Sequence, residues 1–228
     1  MIVRNTMNQI KTENNIKVMN LFSIPIINIM VEEDTSELTS NTEFIRGRLQ
    51  TADGSSYNPE WDFYNAEEKN YRILERYPNT KNILLKYIKS SLKNLGYACQ
   101  FDLSTSWCTK SIKGDIGHMH RHKNCWFSGI YYYGDYDENS GKLFIENPLP
   151  SLSSFSDRIV DVNKFNTPIS VIAPEKSRMV IFPSYLMHSI DIHNSDLIRY
   201  SLAFNIIPSG YYGETDSACD TNWYCGGN

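Results

Sequence analysis

Ile198-Arg-Tyr-Ser-Leu-Ala-Phe-Asn-Ile206 alternates without a break, with Ile198, Tyr200, Leu202, Phe204 and Ile206 on one parity and Arg199 and Ser201 on the other. Successive side chains of a strand point to opposite faces, so this segment has one apolar face to pack on helices and one polar face to turn into a barrel. Polar groups turned inward cost free energy unless they are satisfied, which makes Arg199 and Ser201 candidates for a site. Just upstream, Phe182-Pro-Ser-Tyr-Leu-Met-His188 ends in a histidine. Read as one unit, Met187 to Phe204 predicts a hairpin turning near Asn194-Ser195-Asp196, with His188 opposite Ser201 and diagonal to Arg199 on the same face.

Outward from this hairpin, the chain after Tyr97 reads as a succession of short strands. The candidates are Ala98 to Thr109, Cys125 to Tyr133, Gly141 to Glu146, Ile169 to Ala173, Arg178 to Phe182, Leu186 to Ile192 and Ile198 to Ile207, divided by turn-rich pieces such as Asp135-Tyr-Asp-Glu-Asn-Ser-Gly141. This spacing predicts a small barrel or sandwich. Before it, Leu21 to Val31 reads as a buried strand, and Pro25 suggests a sheet edge. Asp34 to Asn65 reads as loop, in which Trp61, Phe63 and Tyr64 are packing anchors. Ala66 to Tyr77 and Asn82 to Leu95 carry helical periodicity. The second has an apolar stripe of Ile83, Leu84, Tyr87, Ile88, Leu92 and Leu95, closed by Gly96, suited to bracing a sheet. The expected fold is therefore mainly β with supporting helices (α+β), in one structural domain. Residues 1–96 form an N-terminal strand, loop and helices, 97–208 the core, and 209–228 a C-terminal tail to which no structure is assigned.

The histidines carry the chemistry. His118, His120 and His122 fall on alternate residues, and in extended backbone residues i and i+2 project from one face. His120 and His122 can then converge on one ion if His188 arrives from elsewhere in the fold. His118 and His122 would also share a helical face at i and i+4, but Gly114, Gly117 and the β-rich run that follows favour a strand or loop end. His118 lies on the same parity and can stand in for His120. The plainer reading of His188 is a core residue bonded to backbone, and that of Arg199 is a partner for an acid such as Asp196.

Composition narrows the function classes. The 228 residues are 41% hydrophobic and 13% aromatic, enough to bury one sizeable core. A net charge of -4 without a Lys/Arg block argues against nucleic acid as a partner. Leu21 to Val31 is the longest apolar stretch and falls short of the roughly 20 residues that span a bilayer, so no membrane is expected. The first twenty residues are polar, with Arg4, Lys11, Glu13 and Lys17 and no apolar core of a leader, which predicts a cytoplasmic protein. Five cysteines, at 99, 108, 125, 219 and 225, have no zinc-type pairing and suit reduced thiols.

Together these pieces resemble a known family. Trp107 to Asn205 is similar to the double-stranded β-helix (jelly-roll or cupin-like barrel) of the 2-oxoglutarate and iron(II)-dependent oxygenases, most closely to the branch common in phages and marine bacteria. The resemblance rests on His120-Arg-His122, then Phe127-Ser-Gly-Ile-Tyr-Tyr132-Tyr133, then Met179-Val-Ile-Phe-Pro-Ser-Tyr-Leu-Met-His188, then Arg199-Tyr-Ser201-Leu-Ala-Phe-Asn205. It implies iron(II) held by His120, His122 and His188, and 2-oxoglutarate held at its far carboxylate by Arg199, with Ser201 and Tyr132 as neutral donors beside it. It also implies dioxygen as a partner and hydroxylation of a substrate coupled to decarboxylation of the keto-acid. A prolyl-hydroxylase-like strand pattern hints at an amino-acid, peptide or other small substrate.

The chain departs from the family where most members supply Asp, and here His122 stands. Three neutral imidazoles leave the ion's charge uncompensated and also suit zinc or copper. Asp135, Asp137, Glu138 and Glu146 are candidates for a remote carboxylate, but none has the right spacing. Two other classes stay open: a three-histidine metalloenzyme without a keto-acid, in which Arg199 clamps a substrate carboxylate, and a non-catalytic metal-binding barrel such as a binding or virion module. Trp107, Trp126 and Tyr211-Tyr212 are candidate pocket walls. Arg121 and Lys123 should face away from the ion, with Lys110 and Lys113 nearby as a solvated basic rim.

Overall fold

The computed structural model describes residues 23–46, 48–49, 71–149, 160–163 and 166–221. In chain order its elements are β1 (Ile27–Met30), β2 (Ile45–Arg46), β3 (Arg48–Leu49), the helix α1 (Pro78–Asn94), β4 (Gln100–Ser111), β5 (Asp115–His120), β6 (Phe127–Tyr132) and β7 (Leu143–Glu146). There follow β8 (Ile169–Ile172), β9 (Arg178–Pro183), β10 (His188–Ile190), β11 (Arg199–Ser209), β12 (Tyr211–Tyr212) and β13 (Cys219–Asp220). One sheet has the order β1-β9-β6-β11-β4-β2 and a second has the order β3-β5-β10-β7-β8. Strands pair antiparallel except β2 against β4. Two mostly antiparallel sheets with one helix make the β-rich, jelly-roll class of fold that the family resemblance implies.

The larger sheet is covered on both faces, and strand parity decides which residue goes where. On its outer face Leu202, Phe204 and Ile206 of β11 and Met179 and Ile181 of β9 pack with Leu84, Ile88 and Leu92 of α1. On its inner face Ile130 and Tyr132 of β6 and Val180 and Phe182 of β9 meet Leu143 and Ile145 of β7 from the smaller sheet. Every residue of β6 is therefore buried. The apolar parity of residues 198–206 packs on the helix as expected through Leu202, Phe204 and Ile206, although Ile198 is 37% exposed.

The expected hairpin from Met187 to Phe204 does not form. β10 pairs with β5 and β7, whereas β11 pairs with β4 and β6 in the other sheet. The backbone of the connection bonds to other loops rather than to itself: Asp191 N–H donates to Lys142, His193 N–H to Asp115 and Asn194 N–H to Asn139. The segment is a crossing between sheets, so His188 and Ser201 sit on opposite walls of the space between them.

Other differences have local causes. The region expected as a helix to Tyr77 is, in its described part, a 3-10 turn at Ile73–Arg76, because Pro78 disfavours helical backbone at Tyr77 (φ -126°, ψ 67°). The same proline suits the first turn of α1, which starts four residues before the expected Asn82. β2 and β3 lie in a stretch expected as loop, and the tail expected without structure pairs Tyr211–Tyr212 with Cys219–Asp220. β1 is an edge strand, in keeping with Pro25. The polar lead-in, Trp61, Phe63, Tyr64 and Cys225 lie outside the described residues. The other four cysteines are free thiols. No described helix is long and apolar enough to cross a membrane.

Candidate metal centre and its pocket

His120 closes β5 and His188 opens β10, and the two are register partners across the antiparallel pair. Directly opposed residues share a face with Cβ atoms about 5 Å apart, so strand pairing alone brings these two rings together. His122 lies two residues past the end of β5 and is held by its backbone N–H, which donates to the Ser184 carbonyl at 3.1 Å. The donor nitrogens of His120, His122 and His188 lie within 4.8 Å of one another. Their ring centroids are 4.4, 5.0 and 5.1 Å apart.

The ring environments suit neutral ligands. His120 Nδ1–H donates to the His118 carbonyl at 2.7 Å and His188 Nδ1–H to the Leu186 carbonyl at 2.9 Å, which leaves Nε2 of each with a free lone pair. Burial, reinforced by the charge of a protonated His120, holds His188 down at about 3 and His122 at about 4, against an ordinary 6.5. Both rings are therefore unprotonated at neutral pH, as metal binding requires.

Arg199 opens β11 on the facing wall and is 2% exposed. Its Nε donates to the Gly141 carbonyl at 3.1 Å and its Nη1 to Ser201 Oγ at 3.0 Å. Among the described residues its Nη2 is buried with no hydrogen-bond acceptor and the Tyr132 hydroxyl is buried with none either, the Tyr132 ring lying 5.3 Å from the guanidinium carbon. Burial raises the Tyr132 phenol, which keeps it a proton donor. A buried cation with no carboxylate beside it among the described residues is expensive unless an anion completes it. Thr109 Oγ1, 3.3 Å from Ser201 Oγ, extends the polar patch.

The three histidines, Arg199, Ser201 and Thr109 line one cavity of ≈ 330 Å³ between the sheets, in the size range of small-molecule sites, whereas Tyr132 lies outside its lining. Trp107 belongs to its wall and Trp126 does not: the latter packs on Tyr97, Phe101 and Tyr212. His118 lines the cavity outside the three-histidine group. Arg121 and Lys123 are exposed. No described carboxylate joins the three rings: Asp135 pairs with Lys176, and Asp137 accepts from Ser195 and Ser140. Asp196 pairs with Lys113 rather than with Arg199. The fifth histidine, His193, is a satisfied core residue, its Nε2–H donating to Leu197 and its Nδ1 accepting from Gly141 N–H.

The sequence reading missed Thr109 and Gly141. Thr109 was findable, because it shares parity with Trp107 and Ser111 on β4. Gly141 contributes a carbonyl, which no residue type advertises.

Residues 105–205 match a family model described as "Putative 2OG-Fe(II) oxygenase". No curated protein matches the chain. Among solved structures, an oxidoreductase of the 2OG-Fe(II) oxygenase family from Burkholderia pseudomallei is 14% identical over 49% of this chain and 47% of its own, with a TM-score of 0.39. A prolyl-4-hydroxylase from Pseudomonas putida is 15% identical over 45% of this chain and 49% of its own, with a TM-score of 0.32. Apo HygX from Streptomyces hygroscopicus is 12% identical over 81% and 82%, with a TM-score of 0.42. The chain thus spans about half the length of the first two.

Proposed function

We propose that residues 105–205, which resemble the 2OG-Fe(II) oxygenases, form the working centre of a non-haem iron oxygenase that uses 2-oxoglutarate to hydroxylate a substrate. His120, His122 and His188 would hold the iron, and Arg199, Ser201 and Tyr132 the cosubstrate. The observation that carries this reading is the pairing, in one cavity, of three imidazoles with a buried guanidinium whose Nη2 has no hydrogen-bond acceptor among the described residues. A metal alone would explain the histidines, but only an anion of fixed reach explains the arginine as well.

Bound iron supplies the oxidising chemistry, and the protein supplies placement. Arg199 keeps Nε and Nη1 bonded to Gly141 and Ser201, so its plane is set before any ligand arrives. Nη2 would then donate to one carboxylate from the cavity wall, with Tyr132 behind it under the guanidinium. Ile130, Phe182 and Ile190 line the same cavity and restrict water there. His188 is wedged against Phe182, ring centroids 4.7 Å apart, which limits its rotation.

The test is an anaerobic absorption spectrum with iron(II) and 2-oxoglutarate, followed by succinate release in air. The wild type should give the weak visible charge-transfer band of the keto-acid chelate, and both Arg199→Ala and His122→Ala should lose it. Iron binding without that band would sink the cosubstrate assignment and leave Arg199 as a clamp for another carboxylate. No iron binding would sink the metal centre.

A further inference from the structure

A row of four polar side chains crosses the larger sheet on its cavity side. Ser184, just past β9, Ser128 on β6, Asn205 on β11 and Thr105 on β4 stand on neighbouring strands. Asn205 lies six residues along β11 from Arg199, about 20 Å at the rise of a strand, so the row sits well away from the arginine. Ser128 Oγ donates to Asn205 Oδ1 at 2.8 Å, and Asn205 Nδ2 donates to Thr105 Oγ1 at 2.9 Å. With its one proton committed to Asn205, Ser128 must accept from the Ser184 hydroxyl at 2.9 Å. Ser184, Ser128 and Asn205 are 1%, 2% and 9% exposed. Buried polar groups cost free energy singly, but a fully satisfied row is rigid and admits one arrangement. Asn205, as both acceptor and donor within it, sets the direction of the bonds.

The row ends on Ser184, and Ser184 holds His122. Its carbonyl accepts the His122 N–H at 3.1 Å, while its own N–H donates to Trp126 at 3.0 Å. His122 needs such support because β5 ends at His120. His120 and His188 each anchor Nδ1 on a backbone carbonyl, whereas neither ring nitrogen of His122 has a hydrogen-bond partner among the described residues. Its ring rests instead on Trp107, centroids 5.6 Å apart, and Trp107 stands two residues from Thr105 on β4.

We propose that the Ser184-Ser128-Asn205-Thr105 row positions His122 for metal binding, with Asn205 as the residue that orders it; this rests on the reading of the three histidines as ligands. The row does for His122, through its backbone and the tilted Trp107 ring beside it, what a bonded Nδ1 does for the other two. Removing such outer support typically costs 10–100-fold in metal affinity.

The experiment titrates metal-free protein with zinc(II) and follows affinity together with the imidazole nitrogen resonances, in the wild type, Asn205→Leu and Ser184→Ala. The wild type should show all three rings shifting at one equivalent. In the variants the dissociation constant should rise about tenfold to a hundredfold, with His120 and His188 still shifting and His122 lagging. Ser184→Ala removes a single hydroxyl and serves where Asn205→Leu fails to fold. Wild-type affinity in the variants, or loss of all three shifts in step, would overturn the proposal. Absence of any shift in the wild type would overturn the metal centre itself, which separates the two failures.

Discussion

His188 and His122 pay for their readiness to bind metal in the pH range where the protein is stable. An unfolded chain takes up protons at these two rings as pH falls through 6.5, while the folded chain refuses them until about 4 for His122 and about 3 for His188. The unfolded state therefore binds more protons in that window, so stability is complete above pH 6.5 and declines as pH falls toward 4. Melting temperatures of the metal-free protein between pH 8 and 4 should show this decline, and His188→Phe should flatten it. Arg199 gives a second prediction at this scale. Lysine at 199 keeps the charge but gathers its donors on one tetrahedral nitrogen in place of a planar fork held at Gly141 and Ser201, so 2-oxoglutarate should bind about tenfold or more weaker, the worth of one charge-assisted hydrogen bond at about 1.5–3 kcal/mol. Calorimetric titration of Arg199→Lys against the wild type checks it; equal affinity would remove Arg199 as the clamp.

Two glycines show how the elements are fitted to each other. A Cβ at Gly129 on β6 would lie 2.4 Å from the Phe204 ring, which is fully buried against α1, so Gly129→Ala must push a rigid side chain out of the core. The expected cost is about 1–3 kcal/mol, read as a shift in denaturant midpoint. At Gly141 a Cβ would lie 2.6 Å from the Asp191 carbonyl, and the Gly141 carbonyl holds Arg199 Nε. Gly141→Ala should therefore weaken 2-oxoglutarate binding while leaving metal affinity near that of the wild type, an outcome that parallel titrations would establish or refute. The elements also show why pairing went astray in the sequence reading. β10 has three residues, too few for its alternation to say which strand lies beside it, and the partner was settled by loops at 114, 139 and 142 that bind the crossing segment.

At the scale of the whole molecule, the three candidate ligands lie at the end of β5, in the loop after it and at the start of β10, so an ion bound there would tie segments nearly seventy residues apart. Because an unfolded chain cannot present them together, metal should stabilise the fold by about 2.7 kcal/mol at a hundredfold excess over its dissociation constant. Thermal denaturation with and without zinc(II) should show a rise in the wild type and none in His188→Ala. The sequence by itself determined the parity of the strands and the apolar stripe of α1 and singled out His120, His122, His188, Arg199 and Ser201 as candidates, since these follow from side-chain period and residue chemistry along a few consecutive positions, whereas Tyr132 entered only through the family resemblance. Only the tertiary structure decided that His188 and Arg199 belong to facing sheets, that His120 rather than His118 joins His122 and His188, and that Arg199 leans on the Gly141 carbonyl. Those outcomes depend on which distant backbone groups satisfy one another, and a hydrogen bond between main chains leaves no mark in the order of the side chains.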